Sequence, residues 1–523
     1  MQQQWFNTTY PVVPEIQQVQ LSRKLYWLII SFSALRLIAA HTVELGNDEA
    51  YYWLYGQQLQ WNYYDHPPMV AVWMRLFTFN LALEEFEVFV RLGSIVGCAV
   101  ATVFMFKAVS LLHSPRAGWY AAVLFNTSYF SGMVAGLFIM PDSPQMLFWS
   151  FSLWMLARIM RKDNDATAWL LFGLSTGLCI MSKIHGAFLW IGTGIYVVFM
   201  QRSLLRRWYV YASLLITCII VTPIFTWNFA NDFATYRLHG NRVLVHEGTL
   251  NLQYFFKEVL GQLFFNNPVN VILSFAAIAV ALRHRRMLKK LAIYILIGAP
   301  LALILLVVSL SKPVFPHWSG PGYVALIPVA AVYLASLNAH RAAARWMKAS
   351  VTAFVIFLIG WIVVINYYPG TLGSKNHLAL GKGDVTLDRY GWTEGADSFR
   401  VVYHDLLQQG HISTRTPVVC QKWWGAHVEY YFCRPLGLTM IGLGGLKPVG
   451  HYLWLNPERK KKVDMGTALC IIPSDELYDP LEYYSPYYNK ISLVKSITIS
   501  RGGAPARAFH IYRLTGWRSP ANW

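Results

Sequence analysis

Apolar runs organise the first two thirds of the chain. A helix needs roughly 17 to 25 apolar residues to cross a ~30 Å hydrocarbon layer. Such runs recur at 23–42, 87–111, 118–136, 142–160, 167–183, 186–201, 208–227, 268–284, 290–311, 320–338 and 348–367. They predict eleven transmembrane helices, the fifth and sixth separated only by Ser182-Lys183-Ile184-His185. From about residue 368 the pattern changes. WTEGADSFRVVYHDLLQQG reads as a helix ending at Gly410, TPVVC as a strand and KWWGAHVEYYFC as a second helix. LTMIG, TALCIIP, NKISLVKSITI and ARAFHIYRL read as further strands between Gly and Pro turns. The pattern predicts a membrane domain over 1–367 and a C-terminal α/β domain over 368–523.

Composition agrees. The 523 residues are 55% hydrophobic and 13% charged, about half the ~25% charge of soluble domains. A multi-span α-helical membrane protein is the class this implies. The net charge of +18 is no footprint of nucleic acid, because the basic residues sit in alternate gaps: Arg23 and Lys24, Lys107 and Arg116, Arg158 to Lys162, Arg202 to Arg207, Arg283 to Lys290, Arg341 to Lys348. Cytoplasmic loops carry such an excess, which places those gaps and the N-terminus in the cytoplasm and residues 368–523 on the outer, periplasmic side. The first run lacks a small-residue cleavage site and reads as a retained helix. Cys98, Cys179 and Cys218 read as core residues; Cys420, Cys433 and Cys470 leave room for one disulfide.

On that reading the ionisable residues collect on the outer side. The first outer loop, 43–86, holds GNDEAYYW (Gly46–Trp53) and WNYYDHPPM (Trp61–Met69). Glu49 to Trp61 predicts an amphipathic helix broken by Pro67-Pro68. Met69 to Leu83, 15 residues or about 22 Å as a helix, predicts an interfacial or re-entrant one. Asp142, Lys183 with His185, a long loop over 228–267 containing Arg237, and His317 in SKPVFPHW lie on the same side. Each has a structural alternative. Asp48 and Glu49 suit the first turn of a helix, Asp65 a turn and Asp142 an N-cap. Lys183 could snorkel, Arg237 could pair with Asp232, His317 could be structural, and the aromatic residues, Tyr51 and Tyr52 among them, could be an interfacial belt.

The motifs DE, DHPP and PDSP, in that order, resemble the GT-C glycosyltransferases, specifically the family 39-like enzymes. These include protein O-mannosyltransferases, lipid A aminoarabinose transferases and bacterial galacturonosyl transferases. IMPDSPQMLFW (Ile139–Trp149), LCIMSKIHGAF (Leu178–Phe188), TPIFTWNFANDFATYR (Thr222–Arg237) and KPVFPHWSGPGY (Lys312–Tyr323) extend the similarity over the membrane part. The resemblance implies inverting transfer of a sugar from a polyprenyl phosphate to a hydroxyl of a lipid A or lipopolysaccharide, other glycan or protein acceptor, at the periplasmic face of an inner membrane. A carboxylate that takes the acceptor proton suits a weak alcohol nucleophile. Asp48 is the candidate base, with Glu49 orienting it or bonding the acceptor. Charge grows on the leaving phosphate, where cations stabilise it: His66, Lys183 and Arg237, with His185 and His317 as further candidates. Tyr51, Tyr52, Asp65 and Asp142 are candidate substrate-binding or structural residues. Aminoarabinose enzymes carry a lysine before Pro-Pro and an arginine after DE. Here His66 and Tyr51 stand there, which argues against that donor. Nucleotide-binding glycine motifs are missing, and no metal is required, although Asp48 and Asp142 could hold a divalent ion. Two rival readings are a transporter or flippase of lipid-linked sugar and a non-catalytic membrane subunit.

Overall fold

The computed structural model describes residues 15–243, 250–337, 340–476 and 478–519. It divides into two compact units: residues up to Ala39 with Leu59–Phe357, and Ala40–Gln58 with Leu358 onward. The segment 43–86, one outer loop in the sequence reading, is therefore shared between them.

All eleven apolar runs are helical: Glu15–Thr42, Glu87–Leu112, Pro115–Thr127 with the π turn Phe130–Val134, Asp142–Arg161, Ala166–Ser182, Ala187–Met200, Trp208–Ala230, Pro268–Arg283, Arg285–Ser309, Gly320–Ser336 and His340–Tyr367. Among the described residues, six helices are long and apolar enough to cross a membrane alone, and one bent pair would add a seventh. Ala166–Ser182 and Ile184–Met200 are shorter apolar helices. Ile30, Leu215, Ile219, Phe229, Leu303 and Ile356 project outward, a surface suited to lipid and costly in water. The protein is a multi-pass membrane protein.

Two local expectations change. Residues 228–267 are not simply a loop: they carry helices Ala234–Val243 and Leu252–Phe265. The second is inside-out, with Phe256 and Leu260 exposed while Glu258 and Gln262 are buried. Gln262 donates to Glu258 Oε1 at 2.8 Å and accepts from the Tyr323 hydroxyl at 3.1 Å. It bends by 97° into Pro268–Arg283, where Asn267 takes φ 63° and accepts from Val269 N. The helix expected over Met69–Leu83 stops at Phe77, because Phe79, Asn80 and Leu81 adopt left-handed backbone, which ends an α-helix. Likewise the preceding helix runs Asn47–Gln57 rather than to Trp61.

The C-terminal part follows its sequence pattern closely. Strands β1 (Val418–Cys420), β2 (Met440–Gly442), β3 (Thr467–Pro473), β4 (Tyr488–Arg501) and β5 (Ala504–Trp517) form one sheet ordered β2-β1-β3-β5-β4. β2, β1 and β3 are parallel neighbours, and β5 is antiparallel to β3 and β4. The β4–β5 turn is Gly502-Gly503, both at positive φ (54° and 81°), as a two-residue type I′ hairpin requires. Helix Trp392–Gln408 ends before Gly410, at φ 68°. All six cysteines are free, so Cys420, Cys433 and Cys470 form no disulfide; Cys470 lies against the Tyr484 hydroxyl at 3.2 Å.

Arg501 ties this unit together. Its guanidinium donates to Ile365 O, Gly370 O and Thr386 Oγ1 and pairs with Asp384 at 2.9 Å, both side chains fully buried. Removing one member of a buried pair typically costs about 3–5 kcal/mol, whereas apolar replacement of both costs far less. Arg501→Met is therefore expected to lower unfolding stability by about that amount, and Arg501→Met/Asp384→Leu to restore most of it, in denaturant titrations followed by tryptophan fluorescence.

Candidate active site

In the unit containing residues 40–58, the acidic motif opens helix Asn47–Gln57. The first turn separates its two carboxylates. Glu49 is fully buried; its Oε2 accepts from Gly46 N at 3.0 Å and from Arg389 Nη1 at 2.8 Å. Only this half of a capping box can exist, since Gly46 has no side chain to return the bond. Asp48, one residue earlier, is exposed. The glycine has a steric cause: a Cβ at Gly46 would meet Arg389 Nη1 at 1.7 Å. Glu49 is thus engaged by Arg389 and the helix start, whereas Asp48 is exposed.

The segment before the helix is fixed by the C-terminal residues. Glu44 accepts from Trp392 N and Thr393 N at 2.9 and 2.8 Å, capping a helix whose own N-cap is Gly391 in left-handed backbone. Leu45 N donates to the Tyr431 hydroxyl at 2.7 Å and Asn47 N to Asp388 Oδ1 at 2.9 Å. His427 Nε2 donates to Leu45 O at 2.6 Å, and its Nδ1 lies 2.5 Å from the Asn47 amide. Burial, with Arg507 and Arg389 adding to it, holds the His427 pKa down at about 3. A neutral imidazole has one N–H, and Leu45 O receives it, which leaves Nδ1 an acceptor; the Asn47 atom beside it is Oδ1, and exchanging the amide's O and N gives that acceptor a donor. Tyr51 accepts from His451 N at 3.0 Å and packs on Tyr52, Tyr55 and Trp423. Tyr51 and Tyr52 are buried members of an aromatic cluster.

The other candidates lie in the unit containing Leu59–Phe357. Asp142 opens helix Asp142–Arg161 after Pro141, and Lys183 ends Ala166–Ser182 in extended backbone. Lys183 Nζ reaches both Asp142 oxygens at 2.9 Å, both residues buried. The Asp142 carboxylate is thereby satisfied by an ammonium, and among the described residues no cluster of three or more His, Cys, Asp or Glu is arranged to hold a metal ion. His185, in the turn Ile184–Gly186, and His317, in Pro316–Ser319, are within electrostatic range of Lys183. His239 also influences His185; its Nε2 donates to Asp65 O at 2.8 Å and its ring lies 6.0 Å from that of His66. The structure thus gathers His66, Asp65, Asp142, Lys183, His185 and His317 with His239, which sequence reasoning missed. Its neighbour Arg237 is exposed: two residues apart on a helix point to nearly opposite faces, and His239 takes the inward one. Arg389 and His427 were also missed; each lies more than 300 residues from the motif it holds, with no local signal.

In its fold and its motifs the chain is similar to membrane glycosyltransferases of the GT-C type. A family model described as Dolichyl-phosphate-mannose-protein mannosyltransferase matches residues 65–227. A "Lipid A galacturonosyltransferase RgtD" of Rhizobium johnstonii is 22% identical over 366 residues, 69% of this chain and 74% of that protein. Two crystal structures of ArnT from Cupriavidus metallidurans, apo and bound to undecaprenyl phosphate, align at TM-scores of 0.60 and 0.62 with 13% identity, each over 94% of this chain and 98% of theirs; at that identity the likeness is one of fold.

The histidines of the C-terminal unit give a pH test. Burial, with Arg459 adding to it, also lowers His451 to about 3. Below its ordinary pKa of about 6.5, a histidine gains a proton in the unfolded chain that the folded one refuses, so stability falls as pH drops toward 3. Between pH 7 and 5 each such histidine costs about 2 kcal/mol. Thermal melts of His451→Phe, which keeps the ring contacts, should lose less on that acidification than wild type, by about this amount.

Proposed function

We propose that the protein transfers a sugar from a polyprenyl-phosphate donor to a hydroxyl of a lipid A, other glycan or protein acceptor at the outer face of a bacterial inner membrane, with inversion. The observation that carries this reading is the split within the first turn of Asn47–Gln57: Glu49 is buried on Arg389 while Asp48 stays exposed. Asp48 takes the acceptor proton as the hydroxyl oxygen attacks the anomeric carbon. The glycosidic bond breaks in the same displacement, and the electron pair leaves on the lipid phosphate. A positioned base contributes about 10²–10⁴-fold.

Lys183, steered by Asp142, supplies positive charge to the leaving phosphate, and His66, His185 and His317 line the same group. Arg237 joins them only where the substrate reaches the exposed face of its helix. Glu49 supports the helix that carries the base rather than bonding the acceptor. The RgtD and undecaprenyl-phosphate-bound ArnT likenesses support the donor and acceptor classes.

The test follows label from radiolabelled polyprenyl-phosphate sugars into lipopolysaccharide, other glycolipid and protein fractions of membranes carrying wild type or Asp48→Asn. Asp48→Asn is expected to cut transfer at least about 100-fold, with label in wild type entering one fraction and naming the acceptor. Transfer that survives the substitution removes Asp48 as base. Carrier lipid that crosses the membrane with no label transferred makes the protein a flippase.

A further inference from the structure

We propose that His427 is a positioning residue: from the C-terminal part of the chain, its imidazole fixes the first turn of helix Asn47–Gln57 and so aims the Asp48 carboxylate. The proposal rests on Asp48 being the base. His427 does not touch the substrate; it acts through the backbone that carries Asp48.

The ring grips the chain on both sides of Gly46, through Leu45 O at 2.6 Å and the Asn47 amide at 2.5 Å. Between those two contacts sits Gly46, a residue with more intrinsic conformational freedom than any other, where a Cβ would displace the Arg389 guanidinium. The imidazole is itself held. It is fully buried and stacks on Trp392 with centroids 4.1 Å apart and planes 29° apart. Asp388 completes the hold by accepting from Asn47 N. Asp48 follows Asn47 directly, so a rotation about Gly46 moves its carboxylate with the turn. Misplacing a reacting group by about 1 Å can cost about 100-fold in rate.

The experiment uses the full chain in vesicles, with a radiolabelled pool of polyprenyl-phosphate sugars as donor, varied to separate maximal rate from half-saturation. His427→Ala should lower the maximal rate about 10- to 100-fold with half-saturation unchanged. His427→Gln, whose amide N–H can still donate to Leu45 O, should recover much of that loss. In an Asp48→Asn background, His427→Ala should add little to the residual rate, because both changes act through one group.

A full multiplicative loss in that background overturns the positioning role, as does a rise in half-saturation alone or failure of His427→Gln to rescue. The two readings fail separately. Wild-type transfer by Asp48→Asn removes the base, whereas loss with Asp48→Asn beside wild-type rates for His427→Ala removes only His427. If His427→Ala does not accumulate, Asp388→Ala, which removes the acceptor for Asn47 N along with a 3.7 Å ion pair to Arg389, is judged by the same outcomes.

Discussion

A carboxylate out of water must find a cation or a hydrogen-bond donor, and both units of this protein are shaped by that requirement; Glu258 meets it with the Gln262 amide rather than a cation. Removing an isolated charge from solvent costs several kcal/mol or more, and five buried or partly buried acids here each meet a cation. Asp142 is matched by Lys183, Glu49 by Arg389, Asp384 by Arg501, Glu429 by Arg459 and Asp475 by Arg507, at 2.7 to 2.9 Å. Such pairs add little net stability compared with apolar packing, but they penalise any arrangement that separates the partners. They therefore fix which segment lies beside which. Asp48, next to the buried Glu49, is exposed.

The pairs also separate two kinds of chemistry. Around Lys183 the chain assembles imidazoles and one ammonium paired with an aspartate. Around Asp48 it assembles hydrogen bonds to main-chain groups, which hold a helix start rather than a ligand. The first arrangement belongs to the helices of the membrane part. The second is made by side chains of the C-terminal sheet and its helices, bonded to residues 44–51.

What could be read from the sequence follows the range of the forces involved. The eleven apolar runs are set by local composition and recur as helices, and the C-terminal strands show in their β-branched residues and glycine turns. The helix Leu252–Phe265 escaped because its buried stripe is polar: Glu258 and Gln262 point inward, the reverse of the pattern that flags a soluble amphipathic helix. The stop at Phe77 was hidden because Phe79, Asn80 and Leu81 in left-handed backbone carry no glycine to announce it. Asp48, Asp142 and Lys183 were legible as motif residues. Arg389 and His427 were not, since a single arginine or histidine in a distant segment has no periodicity, and only the fold brings it to Glu49 or Leu45.

The hydrogen bond from Trp392 N to Glu44 has a consequence for how the molecule is made. A ribosome releases Glu44 and the acidic helix early, but their partners at Trp392, His427 and His451 emerge only after some 350 to 400 further residues. Until then the first turn lacks its clamps, however far membrane insertion has gone. Closing so long a loop late is slow in folding terms yet adds little to its entropic cost. The chain thus completes the setting of Asp48 among the last of its folding steps, and a nascent protein stalled before the C-terminal sheet would carry the whole motif without the means to hold it.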